Sequence, residues 1–323
     1  MEKLEIHLDN SSAAYFPGQV LTGNLLFSTQ KSQVLKSIDI RVHGETSVYW
    51  KHYNTLYREH IVFSAKKVHL DDLTQPLTVE SGGNNGTILP GNHNFPFVFQ
   101  IPQESPPSFE GKHGSIRYKI QVDILRSEKK KLETEKVFSV MPYLDLNRVS
   151  RALMPVEEKK STKKDEVEVN VSIPQRGFTA GETIPVSVTI KNTTSSSIKT
   201  LSVKLIQVAH FEGQENTGAI FKEYLKFHYN TIENEILEVS KKINVKKTTE
   251  TFGLELTIPD QTQPSFKTKL IQVAYKIVVA SGSDKNLECV LPLIIGTVPV
   301  QPEPPAYETS VKSAEGCPPS YQE

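Results

Sequence analysis

The sequence predicts an all-β protein: two tandem antiparallel β-sandwiches followed by a disordered C-terminal tail. Three observations carry this. Apolar residues recur with period two along both halves of the 323-residue chain. Clusters of Gly, Pro, Asn and Ser interrupt these runs, and the second half repeats the first. Period two marks strands with one face to a core and one to water.

The strands follow in order. Leu4, Ile6 and Leu8 alternate with polar residues, and Phe16-Pro17-Gly18 closes the segment as a turn. Ile38, Ile40 and Val42 alternate next, then Ile116, Tyr118, Ile120, Val122 and Ile124. Between them the glycine-rich run at 81–86 reads as a loop, as does the lysine run at 127–131. The second half gives Val167, Val169, Val171 and Ile173, then Ile184, Val186, Val188 and Ile190, then Leu201, Val203 and Leu205.

The repeat is direct. Tyr15-Phe16-Pro17-Gly18 aligns with Phe178-Thr179-Ala180-Gly181. Ile101-Pro102 through Pro107-Ser108-Phe109 aligns with Ile258-Pro259 through Pro264-Ser265-Phe266, and Tyr118-Lys119-Ile120 with Tyr275-Lys276-Ile277. Two similar segments in one order mean a duplicated domain. Gly18 and Gly181 then occupy equivalent tight turns. The predicted boundaries are a first domain at 1–147, a linker at 148–165, a second domain at 166–298 and a tail at 299–323. The charged run at 157–164 reads as exposed linker.

Composition excludes several classes. Lys plus Arg and Asp plus Glu both number 37, so net charge gives no hold on nucleic acid. Two cysteines, Cys289 and Cys317, make neither a disulfide framework nor a four-thiolate zinc site. No run approaches the length of about 18 apolar residues that a membrane span needs. The alternating start is no signal peptide, so a cytoplasmic location is expected.

The tail carries the sharpest motif. Six of the chain's 20 prolines crowd into residues 299–323. Pro304-Pro305-Ala306-Tyr307 and Pro318-Pro319-Ser320-Tyr321 are two copies of Pro-Pro-x-Tyr. Adjacent prolines hold polyproline II at little entropic cost, and the Tyr ring fills a second pocket. This is the ligand type of WW domains. The site residues are therefore Pro304, Pro305, Tyr307, Pro318, Pro319 and Tyr321. Ten residues, 308–317, separate the motifs, a typical span of roughly 18 Å for flexible chain. That reaches two WW domains of one partner, which raises avidity. A phosphate on either Tyr ring would block the contact.

Longer segments resemble one family. Leu89-Pro90-Gly91-Asn92-His93-Asn94-Phe95-Pro96-Phe97 and Pro106-Pro107-Ser108-Phe109-Glu110-Gly111 are similar to the α-arrestins, the arrestin domain-containing proteins. So are Val42-His43-Gly44-Glu45 with Val48-Tyr49-Trp50, and Leu144-Asp145-Leu146-Asn147. The resemblance implies arrestin-like, immunoglobulin-like sandwiches that engage integral membrane proteins or receptors as cargo. It also implies a tail that recruits WW-domain HECT-type ubiquitin ligases, with recruitment to plasma membrane and endosomes. A thioredoxin-directed cysteine is not carried over, because neither cysteine has a matching context.

No catalytic constellation emerges. The nine histidines fit no zinc-protease frame, and no nucleophile elbow or phosphate loop is present. No cofactor or metal is expected. Asp71-Asp72 reads as a solvated turn, Cys289 as a buried inert thiol, and Trp50 as strand packing. The pairs Lys66-Lys67, Lys159-Lys160, Lys163-Lys164, Lys241-Lys242 and Lys246-Lys247 read as loop-associated lysines protecting strand edges rather than an anion-binding face. The chain is thus expected to be an adaptor, not an enzyme. The alternative is an arrestin-fold scaffold of the retromer cargo type, without ligase recruitment.

Overall fold

Residues that alternate in the sequence alternate between core and water in the structure. It is a computed structural model that describes residues 2–55, 58–78, 86–126, 131–162, 164–215, 227–282 and 285–301. Ile116, Tyr118, Ile120, Val122 and Ile124 are all buried on one face of a strand. So are Ile184, Val186, Val188 and Ile190 in the second half. Each such side chain contributes about 1.5–3 kcal/mol by leaving water.

The first domain holds β1 (Lys3–Leu8), β2 (Ala14–Tyr15), β3 (Val20–Thr29), β4 (Gln33–Asn54), β5 (Glu59–Thr78), β6 (Thr87–Ile88), β7 (Gly91–Gln100), β8 (Phe109–Gly111), β9 (Gly114–Arg126) and β10 (Lys131–Val140). The second holds β11 (Val156–Ser161), β12 (Val167–Ile173), β13 (Gly177–Thr179), β14 (Thr183–Asn192), β15 (Ile198–Glu215), β16 (Phe227–Val245), β17 (Thr248–Thr257), β18 (Phe266–Lys267), β19 (Ile271–Ser281) and β20 (Cys289–Gly296). In the first sandwich the sheet β1-β3-β7 faces β5-β4-β9-β10-β2. In the second, β11-β12-β14-β17 faces β13-β20-β19-β15. Pairing is antiparallel except for β2 with β10 and β13 with β20, which run parallel.

The repeat seen in the sequence is a repeat of hydrogen bonds. Gly18 and Gly181 both have φ of 83°, a value open to glycine but strained for other residues. Gly18 N donates to Ile101 O at 3.1 Å, and Gly181 N to Ile258 O at 2.9 Å. The Tyr118 hydroxyl donates to Pro106 O at 2.7 Å, and the Tyr275 hydroxyl to Gln263 O at 2.5 Å. Both rings are buried, and burial pushes both hydroxyl pKa values up, that of Tyr275 to about 12.

Three sequence expectations need correction. The segment expected as a linker at 148–165 contains β11, which pairs antiparallel with β12 through Val156 with Ile173 to Ser161 with Glu168. It is an edge strand, where outward charge is tolerated and discourages further pairing. Lys159 pairs with Glu168 at 2.7 Å, and Lys160 with Glu158 at 3.0 Å. Asp71 and Asp72 lie within β5, not in a turn; Asp71 stands 3.4 Å from Arg41 and 3.5 Å from His43 on the solvent face. Lys66-Lys67, Lys159-Lys160 and Lys241-Lys242 also lie in strands rather than loops.

The two sandwiches are joined by more than the chain between them. β5 and β15 pair at Ser64 with Gln214 and at Phe63 with Glu215. This fuses the larger sheet of each domain into one sheet of 13 strands among the described residues.

Candidate functional site

Pro304, Pro305, Tyr307, Pro318, Pro319 and Tyr321 lie outside the described residues, as does Cys317. What the structure gives is the place from which that segment departs. Asp145 caps a short 3-10 turn at Leu146–Arg148. Its carboxylate accepts hydrogen bonds from the Asn147 side chain at 2.9 Å and the Asn147 backbone at 3.0 Å. Those bonds, with Arg148 at 3.5 Å, hold the Asp145 carboxyl below the usual carboxylate range. Asp and Asn favour such local closure because their short side chains reach the backbone two residues on.

Asn147 is thereby aimed at the end of the second domain. Its Nδ2 donates to Pro299 O at 3.0 Å, and its Oδ1 accepts from Gln301 N at 2.9 Å. The segment beside it is also tied down. Leu144 N donates to Thr297 Oγ1 at 2.8 Å, Thr297 N donates to Leu144 O at 2.8 Å, and Leu146 N donates to Val298 O at 3.2 Å. Leu146 is fully buried. The first Pro-Pro-x-Tyr motif starts three residues after the gripped Gln301.

An aromatic seam closes the boundary between the domains. Phe109 stands 6.4 Å from Phe211 and 5.4 Å from Phe266, centroid to centroid. His113 meets Phe211 edge-on at 5.7 Å, and Phe63 meets His228 at 4.7 Å. Burial, with Lys112 beside it, lowers the His113 pKa, which keeps the imidazole neutral among these rings at pH 7. Gln263 Nε2 crosses the boundary to Ser108 O at 3.2 Å. Geometries of this kind are worth roughly 0.5–1.5 kcal/mol per aromatic pair beyond area burial.

The remaining candidates are quiet. Trp50 is buried and stacks on Phe63 at 5.4 Å. Cys289 is buried, and burial pushes its thiol up to about 11. Lys66 pairs with Glu45 at 2.9 Å, and Lys241 lies 5.6 Å from the Phe252 ring centre. Lys66 and Lys241 thus each engage a neighbouring side chain. Among the described residues no helix is long and apolar enough to cross a membrane.

Sequence reasoning missed the Asp145–Asn147 clamp and the aromatic seam. The signal for the clamp was the short Asp-x-Asn run at 145–147, a local turn former. Nothing local marks its partners, which lie more than 150 residues away.

Comparison with known proteins gives this geometry a family. The description "Arrestin (or S-antigen), N-terminal domain" matches residues 4–147, and "Arrestin (or S-antigen), C-terminal domain" matches residues 163–300. Arrestin domain-containing protein 17 of Caenorhabditis elegans is 25% identical over 317 residues, covering 93% of this chain and 71% of that protein. Arrestin domain-containing protein 4 is 26% identical in Homo sapiens, over 308 residues covering 90% of this chain and 70% of that one. Its Mus musculus counterpart is 25% identical over 306 residues, with 90% and 70% covered. With two arrestin domains matched in tandem over the two sandwiches, and relatives aligned along nearly the whole length, the chain belongs to the arrestin family, among its arrestin domain-containing α-arrestins.

Proposed function

We propose that this arrestin-family adaptor joins membrane-protein cargo to a WW-domain HECT-type ubiquitin ligase, and so promotes cargo ubiquitination, endocytosis and endosomal sorting. The family makes the chain a trafficking adaptor scaffold. The finer reading rests on the two Pro-Pro-x-Tyr motifs and on one observation, the gripped exit of the chain at Gln301. A ligase held by Tyr307 and its prolines would sit beside the domain boundary, close to whatever the sandwiches hold. Proximity then raises the effective concentration of ligase at cargo lysines. The work is done at the cytoplasmic face of plasma membrane and endosomes, and catalysis belongs to the ligase.

The test is a reconstituted ubiquitination assay with ligase and a membrane-protein cargo. Wild-type chain should raise cargo ubiquitination, and the Tyr307→Ala/Tyr321→Ala chain should not. Equal stimulation by both would favour a scaffold that works without ligase recruitment.

A further inference from the structure

The chain between the two sandwiches makes a turn whose inner side is fixed and whose outer side is bare. Ala152 is fully buried at its centre. Its N–H donates to Val149 O at 2.8 Å, and its carbonyl accepts from Arg176 N at 3.0 Å and Gly177 N at 2.8 Å. A Cβ on Gly177 would lie 2.7 Å from that of Ala152, so the turn is pressed against the start of β13. The next two residues stay outside. Leu153 and Met154 are 50% and 56% exposed.

Arginines surround this apolar tip. Arg151 precedes it and is exposed. Arg176, joined to Ala152 through its backbone, has its Nε buried without a hydrogen-bond partner among the described residues. Neither Arg151 nor Arg176 has a carboxylate partner among the described residues. Arg148 is 81% exposed and meets Asp145 at 3.5 Å. The carboxylates nearest along the chain are engaged. Asp145 accepts from Asn147, and Glu157 accepts from Asn170 Nδ2 at 2.6 Å. Glu158 pairs with Lys160 at 3.0 Å and accepts from Val290 N at 2.7 Å. The turn is left with an apolar tip and a cationic collar.

We propose that this turn seats in the surface of an anionic bilayer, with Leu153 and Met154 among the upper acyl chains and the arginines at the phosphates. Adjacent exposed apolar side chains rimmed by polar ones mark an interaction site. Fluid lipid closes around two side chains without needing a shaped pocket, and anionic headgroups match the three guanidinium groups. Arginine stems pack along apolar surface while their charged heads stay at the polar level. Two apolar side chains give weak, reversible attachment, which a second contact with cargo strengthens. The proposal rests on the membrane location read above and not on the ligase. Asn147 precedes Arg148 and grips Gln301, so the chain leaves the domains at the bilayer surface.

The experiment is co-sedimentation of the full chain with vesicles of phosphatidylcholine, alone or with about one-third phosphatidylserine. Wild type should bind the anionic vesicles, and salt should weaken the binding. Leu153→Gln/Met154→Gln should bind at least tenfold less with an unchanged melting temperature, since neither side chain is in the core. Arg151→Gln should weaken binding to the anionic vesicles only. Leu153→Trp adds an indole to the buried Trp50, and brominated lipid should quench the added emission. Tyr307→Ala/Tyr321→Ala should bind vesicles as wild type does, so a failed ligase reading leaves this result standing. Equal binding by wild type and Leu153→Gln/Met154→Gln overturns the proposal, as does an unquenched added indole. Absence of wild-type binding to anionic vesicles also overturns it. A wild-type dimer that the double variant dissociates, without vesicle binding, makes a second copy the occupant instead.

Discussion

Gly213 and Trp50 meet across the domain boundary with no room for a side chain between them. A Cβ on Gly213 would lie 2.8 Å from the Trp50 ring and 3.3 Å from Ser64 N. The ring is itself pinned by its stack on Phe63, so it cannot swing away. β15 reaches β5 just beyond this point, at Gln214.

Gly213→Ala should therefore destabilise the chain by about 1–3 kcal/mol, the usual range for overpacking. Gly253→Ala is the control: a Cβ there meets nothing within 4 Å, and the effect should stay within about 0.5 kcal/mol. Chemical denaturation of both variants checks this. Equal stability of the two would remove the seam from the account.

Tyr118→Phe should cost about 1–3 kcal/mol, because it leaves the Pro106 carbonyl without its donor in a buried site. Tyr275→Phe should cost at least as much, since it strips Gln263 O of a donor and Gln207 Nε2 of an acceptor. Denaturant midpoints of the two variants give the comparison.

Asn147→Ala should free the backbone at Gln301 without unfolding either sandwich. Asn147 itself is exposed, and its side chain contributes hydrogen bonds rather than core packing. Hydrogen exchange at the Gln301 amide should accelerate at least tenfold, while the amides of β9 and β19 stay protected. Unchanged exchange at Gln301 would mean that the clamp does not hold the exit.

Cys289 gives a pH prediction. Its thiol is raised to about 11 in the folded chain, above its ordinary value. The unfolded chain therefore releases this proton first as pH rises. The contribution is fully present below the unfolded pKa and lost as pH climbs through about 11. Cys289→Ser should flatten the fall in stability between the unfolded thiol's pKa and about 11. Below pH 8 a thiol-specific alkylating agent should leave Cys289 unmodified in the folded chain and label it in denaturant.

Legibility in the sequence followed burial on one face. Ile116 through Ile124 and Ile184 through Ile190 announce their strands because water lies on one side and core on the other. The duplication was equally plain, since Gly18 and Gly181 perform one backbone task twice. β11 was not, because Glu157, Lys159 and Lys160 sit on an outer edge and an edge strand need not alternate. Nor was Asp71-Asp72, because consecutive residues Asp71, Asp72 and Leu73 of β5 are all exposed, which erases the alternation, and Asp71 pairs with Arg41 and His43 across the strands. The Asn147 clamp and the join of β5 to β15 depend on residues about 150 apart, which no local pattern encodes. The Pro-Pro-x-Tyr motifs stand at the opposite pole: their chemistry is local, so the sequence alone names them.

Calorimetric titration of the full chain with a tandem-WW fragment of a HECT-type ligase tests the central claim most directly. The account predicts tight binding to wild type, at least tenfold weaker binding to Tyr307→Ala or Tyr321→Ala, and no binding to the double variant. Binding of the double variant as tight as wild type would contradict the assignment of Pro304, Pro305, Tyr307, Pro318, Pro319 and Tyr321 as the ligase-recruiting site.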